Sequence, residues 1–226
     1  MNLNATRIKD DDDHDAFMEN ALRAADFATR NRTPMIIAVV VLLAIVVGTL
    51  AWRRAAEADK ADAAVLMNRG LQALDAGDLA AAGPWFQRTI DEFSSTQAAG
   101  EAVYMLGAIA LREGKFEEAE SRFEETVHAG LESGFITAAA HAGLGLCLEQ
   151  KQDFAGAARE YSTAGLTFED NFNAPAHLLA AALCWERAGK LDEAKPLLER
   201  IVEKYKDSTE KTRAEQILRR LEFEAK

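Results

Sequence analysis

Four stretches decide the reading of this chain: AAVLMNRGLQALDAGDLAAAGPWFQRTIDEFSST from Ala63, GEAVYMLGAIALREGKFEEAESRFEETVHAGLES from Gly100, AAAHAGLGLCLEQKQDFAGAAREYSTAGLTFEDN from Ala138, and PAHLLAAALCWERAGKLDEAKPLLERIVEKYKDS from Pro175. In this register the eighth position is Gly70, Gly107, Gly145 and Ala182, and the twentieth is Ala82, Ala119, Ala157 and Ala194. The twenty-fourth is Phe86, Phe123, Tyr161 and Leu198, and a turn falls at Gly77-Asp78, Gly114-Lys115, Gln152-Asp153 and Gly189-Lys190. Internal repetition of this kind outranks any local motif in deciding a fold.

The spacing has a physical meaning. Small residues at positions eight and twenty let two antiparallel helices approach closely where they cross, and the bulky residue at twenty-four fills the space between them. Gly before the second helix supplies the left-handed turn that ends the first. Each helix pair leaves an apolar face open, which the next pair covers.

This pattern resembles the tetratricopeptide repeat over residues 63–208. It departs from that family's motif in three ways: the first-helix Trp is absent, the terminal Pro is missing, and the spacings are 37, 38 and 37 residues rather than the family's 34. The longer repeat implies extended second helices or looser connections. The resemblance implies an all-α, right-handed helical solenoid of about four helix-turn-helix repeats. Residues 209–226, with Ala214, Ile217, Leu218 and Leu221 on one face, read as the polar-backed helix that caps such a stack.

Upstream, Met35 to Trp52 reads MIIAVVVLLAIVVGTLAW, 18 residues without a charge. As a helix it is about 27 Å long, near the ~30 Å hydrocarbon core of a bilayer. Thr33-Pro34 opens the run, and Trp52 with Arg53-Arg54 closes it as an interfacial anchor. A cleaved signal peptide is disfavoured by the length of the run, the 34 residues before it and the two arginines ahead of Ala56-Glu57-Ala58. The expected division is an acidic tail over 1–34, a single transmembrane helix over 35–52, a juxtamembrane linker over 53–62, and then the repeats. In the tail, Asp10 to Asp13, His14 and Asp15 read as solvated, and Phe17, Met18, Ala21, Leu22, Ala25 and Ala28 follow helical spacing. Arg23, Arg30 and Arg32 before the span balance Arg53, Arg54, Lys60 and Arg69 after it, so the positive-inside rule gives no orientation. Ala44 and Gly48 put two small residues on one face of the span, where a second helix could pack.

The 226 residues carry 37 acidic and 26 basic side chains, a net charge of −11, which disfavours a nucleic-acid partner. The 49% apolar content is that of a globular chain. No catalytic constellation emerges, and no cofactor or metal site is expected. Gly143-x-Gly145 has Leu148 in place of the third glycine and lies inside a repeat helix. His141 and His177 fall in repeat helices as packed residues, while Glu117-Glu118 and Glu124-Glu125 lie on solvated second-helix faces. Cys147 and Cys184 share position ten of neighbouring repeats. Stacked helices lie about 8–10 Å apart, more than the ~7 Å between Cα atoms that a disulfide allows. Two free, buried thiols are therefore expected.

The resemblance also implies a role. Tetratricopeptide proteins hold protein partners in a groove lined by first-helix positions two, five, nine, twelve and thirteen. Carried over, these give Met67, Tyr104 and Leu179 at position five, Leu71, Leu146 and Leu183 at nine, Leu74 and Leu111 at twelve, and Arg112 and Arg187 at thirteen. The family's clamp for a terminal carboxylate needs Lys and Asn at five and nine, and neither is present. An apolar floor edged by arginine suits an apolar or amphipathic protein segment, with Tyr104 and Leu183 as anchors. One N-terminal span followed by repeats is similar to membrane-anchored bacterial envelope members of the family, such as the ancillary subunit of the Sec translocon. That similarity implies an inner-membrane protein, not an enzyme, with periplasmic repeats that assist protein export, folding or assembly. The alternative is a structural membrane component that homo-oligomerises through Ala44 and Gly48, with its repeats in the cytoplasm.

Overall fold

The computed structural model describes Met18, Leu22, Arg23, Arg30 and residues 32–224. The acidic run and most of the amphipathic stretch of the tail lie outside these residues. Among the described residues there are nine helices and no strand. They are α1 (Arg32–Asp75), α2 (Leu79–Glu92), α3 (Gln97–Arg112), α4 (Phe116–His128), α5 (Gly134–Gln150), α6 (Phe154–Leu166), α7 (Ala174–Arg187), α8 (Leu191–Lys204) and α9 (Glu210–Glu224). The chain divides into two units, Met1–Glu57 and Ala58–Lys226.

In the first unit, α1 contains an 18-residue window of mean hydropathy 2.8 with none of it buried. By length and composition this helix can cross a membrane. The stretch 53–62, expected as a linker, is helical. The reason lies in its composition: RRAAEADKAD contains neither Gly nor Pro, and eight of its ten residues are the good helix formers Ala, Arg, Glu and Lys.

The second unit is a helical solenoid. Its first repeat begins with the end of α1, where Ala63, Leu66, Met67 and Gly70 are buried on one face. Then α2, and the pairs α3/α4, α5/α6 and α7/α8, each pack on the next, and α9 packs on α8 and α7. The second helices run 13 or 14 residues. The length beyond the family's 34 therefore lies in the first helices (16, 17 and 14 residues in α3, α5 and α7) and in the connections 93–96, 129–133 and 167–173, and the shorter α7 offsets the longest connection.

The reciprocity of positions eight and twenty-four is explained by contact. A Cβ on Gly70 would lie 2.5 Å from the Phe86 ring, on Gly107 2.9 Å from Phe123, and on Gly145 2.8 Å from Tyr161. In the fourth repeat the ring is replaced by Leu198, and the glycine by Ala182. Phe123 also meets Gly143 of the following repeat, where a Cβ would lie 2.5 Å from the ring. The alanines at position twenty are all buried. The turn before each second helix has positive φ: Gly77 (77°), Gly114 (76°), Gly189 (72°) and, at a cost, Gln152 (63°). The second helices then start in two ways. Asp78 and Asp153 cap theirs by accepting from Ala81 N (2.9 Å) and Gly156 N (2.8 Å). Where Lys115 and Lys190 stand instead, the carboxylates of Glu117-Glu118 and Asp192-Glu193 in the first turn interact favourably with the positive end of the helix dipole.

Candidate functional site: the first-helix face

Among the described residues, two of the cavities on the solenoid are lined by first helices. One, of about 240 Å³, is built from Leu74 of α1, Tyr104, Met105 and Arg112 of α3, and Phe135 and Ile136 of α5, among others. The other, of about 500 Å³, takes Glu149 from α5, Leu183 and Arg187 from α7, and Arg213, Ile217 and Arg220 from α9. No second-helix residue lines either. The arrangement follows from the repeat: second helices meet the next pair through their alanines and rings, which leaves the first helices facing outward together.

The smaller cavity has an apolar floor and one charge. Tyr104 is half-buried, its ring 5.7 Å from Phe123, and burial raises its hydroxyl pKa against the opposing pull of Arg112. Arg112 is exposed at the rim with no ion-pair partner among the described residues. Of the expected groove residues, this cavity unites Leu74, Tyr104 and Arg112.

The larger cavity is charged, and most of that charge is internally satisfied. Glu149 accepts from the Tyr161 hydroxyl (2.9 Å) and from Arg187 Nη1 (3.0 Å). Arg187 also lies 3.8 Å over the Phe154 ring, so this residue, expected at the groove edge, is held between repeats. Glu186 accepts twice from Arg220 Nη2 (2.7 and 2.8 Å). That leaves Arg213 as the rim cation without a partner among the described residues. The cavity unites Leu183 and Arg187. The other expected groove residues line neither cavity. Met67 (7% exposed) and Leu179 (8%) belong to the core, Leu71 and Leu111 pack against it, and Leu146 stands 43% exposed on its own.

Arg213, Arg220 and Ile217 were not among the residues expected to form the groove, although the sequence contained a signal for them. Continuing the 37-residue spacing beyond Pro175 puts Arg213 and Arg220 at positions two and nine of a fifth, truncated repeat. Met105, Phe135 and Ile136 carry no such signal, since they fall off the usual groove positions.

The remaining candidates fall in place as packing. Cys147 and Cys184 are free and buried. Burial, first of all, pushes their thiols up to about 11 and about 12. His141 is half-buried and donates from Nδ1 to Glu160 Oε2 (2.8 Å). His177 has no partner on its buried Nε2 among the described residues, and burial lowers its pKa. Among the described residues no three His, Cys, Asp or Glu side chains converge as metal ligands would.

A family model described as a tetratricopeptide repeat-like domain matches residues 26–160, and a tetratricopeptide repeat model matches residues 178–208. No curated protein matches the chain. Solved structures similar to it include a tetratricopeptide repeat protein from Parabacteroides merdae, at 17% identity and a TM-score of 0.57, covering 69% of this chain and 58% of that one. MamA is similar at 20% identity and a TM-score of 0.53, covering 69% of this chain and 85% of that one. BtubC from P. vanneervenii, at 14% identity and a TM-score of 0.53, covers 61% of each chain. At these identities the likeness concerns the fold. The repeat-like model covers well over half of the 226 residues and begins before the solenoid, at residue 26: the chain belongs to the tetratricopeptide repeat-like family.

Proposed function

We propose that this protein is a membrane-tethered scaffold, not an enzyme, that holds an apolar or amphipathic segment of a protein partner on its first-helix face. The observation that carries the reading is the smaller cavity: apolar side chains of three successive first helices, with Arg112 at the rim and without an ion-pair partner among the described residues. A helix or extended segment laid there buries its apolar side chains and meets the arginine with a carboxylate. The exposed apolar window of α1 supports tethering, because 18 residues of mean hydropathy 2.8 left bare to water would otherwise be unfavourable. Service to export, folding or assembly in a bacterial envelope, with the repeats in the periplasm, is the setting this architecture suits. The test is the pair Tyr104→Glu and Leu183→Glu in the full chain. Capture of the native partner should fall by about 1–3 kcal/mol per anchor, with helicity and cooperative melting kept. Undiminished capture by a folded double variant refutes the groove. A reporter fused after Lys226 that scores as cytoplasmic refutes the periplasmic setting.

A second reading has its own observation. Ala44 and Gly48 are both exposed on α1, and a Cβ on Gly48 would meet nothing within 4 Å, so a second span can approach there. In this reading the protein is a structural membrane component that oligomerises through its span. Gly48→Ile should abolish dimers in detergent if this reading holds.

A further inference from the structure

The chemistry of the first-helix face also selects the conformation of what it holds. Of the twelve side chains at positions two, five and nine of the four first helices, ten are Ala, Leu or Met. The two exceptions are Tyr104 and Glu101, and Glu101 already accepts from Gln97 Nε2 (3.0 Å). The smaller cavity is equally poor in hydrogen-bonding groups. Among its lining residues only Tyr104 and Arg112 carry polar side chains. The helix ends that reach it are largely closed: Leu74 O accepts from Gly77 N (2.9 Å), Ile109 O from Glu113 N (3.0 Å), and Ile136 N donates to Ser133 Oγ (3.4 Å). In the larger cavity the floor is Ala180, Leu183 and Ile217. Its glutamates are taken, Glu149 by Tyr161 and Arg187 and Glu186 by Arg220.

That scarcity decides between the two forms a partner segment can take. Every residue of an extended segment other than proline brings an N–H and a C=O that need partners. Seated on this floor, the groups turned toward it would meet alanine and leucine. Each one stranded out of water weakens binding about five- to a hundredfold. An α-helix closes these groups within itself. Its apolar stripe, at i, i+3, i+4 and i+7, then needs only an apolar floor.

Charge complements the floor. The smaller cavity has Arg112 and no acid among its lining residues, and Glu113, next in the chain, is occupied by Lys115 (2.7 Å). Asp75 and Glu101, the acids at groove positions of the first two repeats, line neither cavity. In the larger cavity the two ion pairs leave Arg213 over. We infer, given that the first-helix face is the partner surface, that its occupant is an amphipathic α-helix of a protein partner and not an extended peptide. The apolar stripe of that helix lies on Leu74, Tyr104 and Ala108, with an acidic side chain beside the stripe on Arg112. The larger cavity offers the same pairing of features in Leu183 and Arg213.

The experiment uses the full chain in zwitterionic nanodiscs and two fluorescein-labelled peptides of about five helical turns, read by anisotropy. Both carry leucine at i, i+3, i+4 and i+7 with glutamate on the flanks. One is closed into a helix by hydrocarbon staples across its outer face. In the other, two outward-facing residues are proline, which keeps the leucines and forbids the helix. The stapled peptide should bind at least about tenfold tighter than the proline peptide. Tyr104→Glu should weaken its binding about tenfold, and Arg112→Gln about threefold at low ionic strength and less at high. Because the Tyr104 ring packs near Phe123, Ala108→Glu serves as a second variant: it puts a carboxylate into the cavity, removes no ring, and should also weaken binding about tenfold. Equal binding of the two peptides, lost in both variants, overturns the helix and leaves the groove standing. Stapled-peptide binding that survives both variants refutes helix and groove together. Failure of the stapled peptide to bind also overturns the helix, and capture of the native partner by the chain with Tyr104→Glu and Leu183→Glu then decides the groove by itself. Self-association abolished by Tyr104→Glu would make a second copy the occupant, which overturns the proposal as well.

Discussion

Gly107→Ala puts the packing logic of the repeat to a test of sign. At an unconstrained helical site, replacing glycine by alanine stabilises by about 0.5–1 kcal/mol, because alanine has less conformational freedom to lose. Here the new Cβ would sit 2.9 and 3.0 Å from Phe123 ring carbons and 3.1 Å from Arg122 Cβ. Relief requires the ring to retreat by several tenths of an ångström. It cannot do so easily, since its other edge lies against Gly143, where a Cβ would be only 2.5 Å away. Phe123 is buried at the centre of its cluster. Overpacking of this kind costs about 1–3 kcal/mol, so after the helix gain the variant should be less stable by about 1–2 kcal/mol. The assay is urea unfolding of the full chain in detergent, followed by far-ultraviolet circular dichroism. Adding Phe123→Leu recreates the Ala182 and Leu198 combination of the fourth repeat, and the two changes together should be less damaging than their sum by at least about 1 kcal/mol. A stabilised Gly107→Ala, or strict additivity in the double variant, refutes the claim that these two positions are matched by contact.

Other outcomes follow from single sites. Gln152→Gly relieves the one non-glycine residue at positive φ among the described residues and should raise stability by about 0.5–1 kcal/mol, measured by the same unfolding midpoint. His177 is held below its usual pKa by burial, so the unfolded chain binds its proton more readily. Its contribution to stability is complete above about pH 6.5 and is lost as pH falls below that, and His177→Phe should flatten the acid limb of the melting curve. Cys147 and Cys184, with thiols at about 11 and about 12, should resist iodoacetamide at pH 8 in the folded chain and react at ordinary rates in urea. Fast alkylation of the native protein would contradict their placement.

Much of the solenoid was legible because its determinants recur. A small residue facing a bulky one, an alanine at a helix crossing and a left-handed residue in a turn are each demanded in every repeat, so the sequence displays them four times, as glycine against a ring in three repeats and as Ala182 against Leu198 in the fourth. What happens once left no such trace. The helical character of 53–62 depends on the absence of breakers and shows no periodic signal. Arg187 looked like a free groove edge, and only the fold brings Glu149 and Phe154 to it from the preceding repeat. Met67 and Leu179 stand at position five yet lie in the core, since the position fixes a helix face and the neighbouring side chains decide how deep it sits. The stacking of Phe135 on Phe172 left no trace because Phe172 lies in a connection and Phe135 in the first turn of α5, where no repeat pattern operates. The two buried threonines, Thr89 and Thr126, satisfy their hydroxyls within their own helices on Trp85 O and Arg122 O (both 2.9 Å), which is why polar residues can occupy this core.

The central claim is that protein partners are held on the first-helix face. The most direct measurement is photo-crosslinking in cells that produce the full chain, with benzoylphenylalanine placed either at Ala108, in the smaller cavity, or at Glu124, exposed on the outer face of α4. The account predicts a discrete crosslinked partner from Ala108 and none from Glu124. A partner captured from Glu124 and not from Ala108 would contradict it.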